Sequence, residues 1–112
     1  MARRKEGTDT MHSYYVSIVP RDLFNGPSAK AFHRSAVNVS YLRRSLIKTY
    51  GTELQTTDRR KQVIIVVYKD QGHYVMSDPL GQLTVLNSPG VKWVTDKTAY
   101  HVNRDGTLGR RL

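Results

Sequence analysis

The stretch SAKAFHRSAVNVSYLRRSLIKTY, residues 28–50, decides how the chain is read, because it mixes apolar and basic side chains at spacings that a helix would separate. Wound at about 100° per residue, it gathers Ala31, Phe32, Ala36, Val39, Leu42, Leu46, Ile47 and Tyr50 on one face. Lys30, Arg34, Arg44 and Lys48 fall within an arc of about 80° on the other face, with Val37 and Tyr41 among them. Pro27 and Ser28 supply a start, with Ser28 as N-cap, and Gly51 supplies a stop. Arg43 breaks the pattern, landing among the apolar positions one turn from both Val39 and Ile47. The stretch therefore predicts either one long helix or two shorter ones, about 28–37 and 40–50, parted at Asn38 and Ser40, which cap better than they propagate. Arg43 would then pair with a carboxylate such as Asp22 or Asp58, or reach solvent at the edge of the interruption. The second is expected, since burying an unpaired charge is costly.

Outward from this stretch the pattern changes to strands. Residues 12–19 alternate, with Tyr14, Val16 and Ile18 opposed to Tyr15, Ser17 and Val19, and end at Pro20, which reads as a first strand. Asn25-Gly26-Pro27 cannot continue it. Beyond the loop holding Arg59, Arg60 and Lys61, the run Val63-Ile64-Ile65-Val66-Val67-Tyr68 is β-branched and apolar on both sides, as a central strand requires. Lys69-Asp70-Gln71-Gly72 reads as a turn into a hairpin partner, 73–76. Asp78-Pro79-Leu80-Gly81 fits a type I turn, Ser88-Pro89-Gly90-Val91 a type II turn, and Asn103-Arg104-Asp105-Gly106 another, parting strands over 83–86, 91–94 and 98–102. The expected fold class is α+β: an N-terminal strand, the helical region, then a five-strand antiparallel meander as a sheet or small barrel. One domain, 12–109, is expected, preceded by a flexible basic arm, 1–11, and followed by a basic tail, 110–112. The strand order resembles that of Sm-like small barrels, and the helix-then-sheet order resembles that of toxin ribonucleases, in topology alone.

Charge narrows the function. Of the 18 Lys and Arg, eight lie between Lys30 and Lys61 against only Glu53 and Asp58, so +6 of the chain's +9 is concentrated there. Residues 62–109 cancel to zero. A neutral scaffold presenting one basic surface suits a polyanion. No cysteine is present, which removes disulfides, thiolate nucleophiles and Cys-ligated zinc. The N-terminus lacks the apolar core of a signal peptide, and no apolar run is long enough for a spanning helix, so a cytoplasmic protein with no membrane partner is expected.

The expected function is that of a small, non-enzymatic, regulatory or accessory protein that binds nucleic acid, DNA or RNA, through Lys30, Arg34, Arg44 and Lys48, with Tyr41 inside the stripe and Arg59, Arg60 and Lys61 extending it. The competing description is a solvated helix face; the lack of acidic partners one turn away favours binding. Two alternatives come from other classes. One is a toxin-like ribonuclease using His73 and His101 on neighbouring strands, with an Arg to stabilise the phosphate. The other is an interaction or virion-assembly protein that takes an acidic protein partner on the same face. The histidines, His12, His33, His73 and His101, form no metal-ligand spacing, and no phosphate-cradling glycine motif occurs, so neither metal nor cofactor is expected. Tyr50 and Trp93 are expected in the core. A homo-oligomer would double the basic footprint.

Overall fold

The computed structural model describes residues 10–23, 29–85 and 90–112. The arm expected over 1–11, apart from Thr10 and Met11, lies outside the described residues, as do Asn25-Gly26-Pro27, Ser28, and Ser88 and Pro89 of the type II turn. Strand β1, His12–Pro20, and strand β3, Val63–Tyr68, fall where their patterns put them. β1 pairs antiparallel with β3, Val16 opposite Val67 and Ile18 opposite Ile65, and residues 64–67 of β3 are buried on both faces.

The decisive stretch divides differently from the expectation. Its first half is not helical: Lys30–Ala36 is strand β2, paired antiparallel with β1 so that Phe32 faces Val16 and Arg34 faces Tyr14. KAFHRSA satisfies period two as well as period 3.6, with Phe32, Arg34 and Ala36 on one side and Ala31, His33 and Ser35 on the other. The unpaired edge of β1 then settles the choice, because a ladder satisfies backbone groups on both strands at once. The second half becomes helix α1, Val39–Gln55, whose N-cap Asn38 accepts a 3.0 Å hydrogen bond from the Tyr41 N–H. Gly51 does not stop it. The break is a kink instead, at Tyr50 with φ −117° and ψ 15°.

After β3, the expected hairpin partner is a short helix, α2, Gln71–Val75, because Asp70 caps it: its carboxylate accepts from the His73 N–H at 2.9 Å. Strands β4, Gly81–Thr84, β5, Lys92–Val94, and β6, Ala99–Val102, follow. The turn at 103–106 forms as expected, with the Gly106 N–H bonded to the Asn103 carbonyl at 3.0 Å, and leads to β7, Leu108–Arg111, where the basic tail was expected to begin. Among the described residues the sheet thus has seven strands in the order β2-β1-β3-β4-β5-β6-β7, all neighbours antiparallel. Over the described residues it is open, ending at β2 and β7, and does not close into a barrel. The α+β class holds; the strand count and the two-helix reading of 28–50 do not.

α1 covers one face of this sheet. Leu42, Leu46 and Leu54 are fully buried with Val16, Ile65, Val67 and Leu83, and Trp93 completes the cluster as expected. Trp93 lies directly over Gly81: a Cβ there would come within 2.5 Å of the indole ring. Gly81→Ala is therefore expected to destabilise the fold by about 1–3 kcal/mol, the usual cost of overpacking. Urea denaturation checks this; an unchanged midpoint would mean that Trp93 can move aside freely.

Candidate functional site

The eight residues singled out from the sequence sit on three elements. Tyr41, Arg44 and Lys48, at i, i+3 and i+7, share the outer face of α1 and are exposed. Lys30 and Arg34 lie on β2, at positions whose side chains share the α1 side of the sheet with Phe32. The Arg34 Nη1 donates to Ser45 Oγ of α1 at 2.7 Å, and its guanidinium carbon lies 5.4 Å from the Phe32 ring centre. Lys30 Nζ stands 5.5 Å from the Phe32 ring and 5.9 Å from that of Tyr50. Both cations of β2 are thus brought to the flank of α1, their charged groups close to aromatic rings.

Arg59, Arg60 and Lys61 form a single 3-10 turn capped by Asp58, whose carboxylate accepts from the Arg60 N–H at 3.0 Å. The turn enters β3 at the end of the sheet where Pro20 pairs with Val63 and Lys30 pairs with Ile18. Lys30 and this turn therefore belong to one end of the molecule, and Arg44 to the other end of α1. Arg59 lies 3.6 Å from Asp22 and Arg60 3.7 Å from Asp58, both pairs on the surface, where such contacts hold weakly and leave the cations within reach of an incoming anion.

Arg44 has a less favourable setting. It borders a cavity of about 330 Å³ with Asn38, Ser40, Tyr41, Asp105 and Thr107. Asp105 is held below the usual carboxylate range, first by hydrogen bonds from Thr107 and to a smaller extent by the Arg44 charge. An anion approaching Arg44 meets that carboxylate; one approaching Lys48 does not.

Arg43 departs from the expectation that it reaches solvent. It is 5% exposed and has neither Asp22 nor Asp58 as partner. Its Nε donates to the Gly106 carbonyl at 2.8 Å, its Nη2 to Ser40 Oγ at 3.1 Å, and the guanidinium lies 4.9 Å from the Trp93 ring. A carbonyl, a hydroxyl and a π face replace the missing carboxylate, while burial pushes the guanidinium below its ordinary value. Arg43 ties the 103–107 turn to α1 and contributes nothing to the outer face.

The histidine pair required by acid–base cleavage is not assembled on neighbouring strands. His73 is on α2, its Nδ1 2.6 Å from Asp70 Oδ1, whereas His101 is on β6, beyond β4 and β5 in the sheet. No group of three or more His, Asp or Glu among the described residues could hold a metal ion. Among the described residues no helix is long and apolar enough to cross a membrane.

One cluster went unread in the sequence. On the sheet face turned away from α1, Tyr15 pairs in register with His33 on one side and Tyr68 on the other. The Tyr15 and His33 rings meet edge-on at 4.8 Å, and Tyr74 of α2 packs 4.8 Å from Tyr15 and 5.2 Å from Tyr68. Tyr15 and Tyr68 were legible as strand residues, but their shared row depends on the register of three strands. No family model, curated protein or solved structure matches the chain.

Proposed function

We propose that this protein is a non-enzymatic nucleic-acid-binding protein whose contact surface is the outer face of α1, flanked by Lys30 and Arg34 of β2 and continued by Arg59, Arg60 and Lys61. One observation carries the reading. Lys30 and Arg34 belong to a different element from Arg44 and Lys48, yet Arg34 reaches α1 through Ser45, and six of the seven cations stay exposed with Arg34 half-buried. The outer positions of α1, Tyr41, Arg44, Ser45, Lys48, Thr52 and Gln55, include no acidic residue. Cations so arranged release counterions from a phosphate backbone, and Tyr41, 55% exposed, adds a ring beside them.

Binding should then weaken steeply with salt. For a DNA duplex, log K is expected to fall against log salt with a slope of about −4.5 to −6, as five to seven phosphate contacts would give. Fluorescence anisotropy on labelled DNA and RNA duplexes over a salt series measures it. Absence of binding at low salt, or a flat salt dependence, overturns the reading. Capture of an acidic protein with no nucleic acid retained would move the same face to a protein partner.

A further inference from the structure

We propose that the sheet face opposite α1 is a stacking platform for unpaired nucleobases, with His33 as its exposed ring. The inference rests on the nucleic-acid reading above and names the form of nucleic acid the protein takes: single-stranded. Lys30, Phe32 and Arg34 turn toward α1, so Ala31, His33 and Ser35 turn to the other face, and all three of these are exposed. His33 therefore stands between two small side chains, and the residues paired with its neighbours are small as well, Ser13 opposite Ser35 and Ser17 opposite Ala31. A flat ring can lie against the imidazole there without displacing a bulky group.

The row is also pre-positioned. His33 meets the Tyr15 ring edge-on at 4.8 Å, and Tyr15 and Tyr68 are backed by Tyr74. Rings fixed by one another lose little freedom when a base arrives. Charge complementarity selects the occupant. His33 adjoins Arg34 in sequence, and Arg34 and Lys30 present their charges on the other side of the same edge strand, so one nucleotide passing over that edge would set its phosphate against a cation and its base on His33. A duplex cannot do this, because its bases are stacked inward and its phosphates face out; a single strand can splay its bases onto aromatic side chains.

The test is anisotropy at low salt with a short labelled oligouridine and a labelled RNA duplex of equal length, using the full chain and its His33→Ala and His33→Phe variants, each checked by thermal melting. The wild-type protein is expected to prefer the oligouridine. His33→Ala should weaken oligouridine binding by about tenfold, the order of one base–aromatic stack, and leave duplex binding unchanged, while His33→Phe restores it. If oligouridine and duplex bind equally and His33→Ala alters neither, the platform is wrong and the basic-face reading stands. If neither nucleic acid binds the wild-type protein, both fall together. Loss with His33→Phe as well as His33→Ala would also overturn the proposal, since the ring would then not be what binds.

Discussion

Replacing Gly106 with alanine should cost about 2–4 kcal/mol, combining the penalty for a left-handed backbone with that of overpacking. Gly106 has φ +87°, and an added Cβ would stand 2.1 Å from the Ser40 carbonyl oxygen and 2.6 Å from the Arg44 nitrogen. These are backbone atoms of the first turns of α1, held by the Asn38 cap and by the Leu42 and Leu46 packing, so they cannot yield as a surface side chain would. Retreat of the turn instead would break the 2.8 Å bond from Arg43 to the Gly106 carbonyl and leave a buried guanidinium short of an acceptor. Against a total stability of about 5–15 kcal/mol, the loss should lower the melting midpoint on the order of 10 °C. Gly90 provides the control. It has φ +91° but nothing within 4 Å of its missing Cβ, so Gly90→Ala should cost only about 1 kcal/mol. Equal losses at the two glycines in thermal or urea denaturation would refute the close approach as the cause.

The second large effect concerns binding. Changing Lys30, Arg34, Arg44, Lys48, Arg59, Arg60 and Lys61 together to glutamine is expected to lower nucleic-acid affinity by about a thousandfold at moderate salt and to flatten the salt dependence. The fold should survive, because exposed charges contribute within about 0.5 kcal/mol each; Arg34, bonded to Ser45, makes a hydrogen bond between two elements, while Lys30 over the Tyr50 ring and Arg59 beside Asp22 make looser contacts. Single changes should be graded by local acids. Lys48→Gln should reduce affinity more than Arg44→Gln, since Arg44 faces Asp105 and Lys48 has no carboxylate beside it on the outer face of α1. Arg59 and Arg60, with carboxylates 3.6 and 3.7 Å away, should likewise fall below Lys48. Unchanged affinity of the sevenfold variant at low salt would locate the contact elsewhere.

The sequence told the strands apart from the rest wherever the apolar pattern was strong. β1 alternates clearly and β3 is apolar on both sides, and both formed as read. β2 was illegible because KAFHRSA contains a single large apolar residue, Phe32, and so fits either period; its pairing with β1 decides it, and pairing is not a local property. Asn38 was recognised as a break and is the cap of α1, yet the strand on its other side was not anticipated. His73–Met76 looked extended until the Asp70 carboxylate is counted as a cap, and β7 carries too little apolar alternation to be seen. The basic residues of α1 were legible from spacing alone. Lys30 and Arg34 flank the same helix from a strand and not from the helix itself, and one acceptor of Arg43, the Gly106 carbonyl, lies on a turn sixty-three residues away that no pattern near Arg43 encodes.

The position of β1 bears on how the chain is made. It is the earliest of the described strands to leave the ribosome, yet it lies inside the sheet, between β2 and β3. Its first neighbour, β2, follows at once, but the second does not exist until residues 63–68 have been synthesised, with the whole of α1 in between. During that interval one side of β1 offers an open row of backbone donors and acceptors, and Leu42 and Leu46 await Ile65 and Val67. β3 fills both openings, pairing with β1 and packing Ile65 and Val67 against Leu42 and Leu46. From there each new strand, β4 to β7, adds to the edge just completed, so translation and sheet growth run in the same direction and the nascent chain is most vulnerable to pairing with another copy just before β3 emerges.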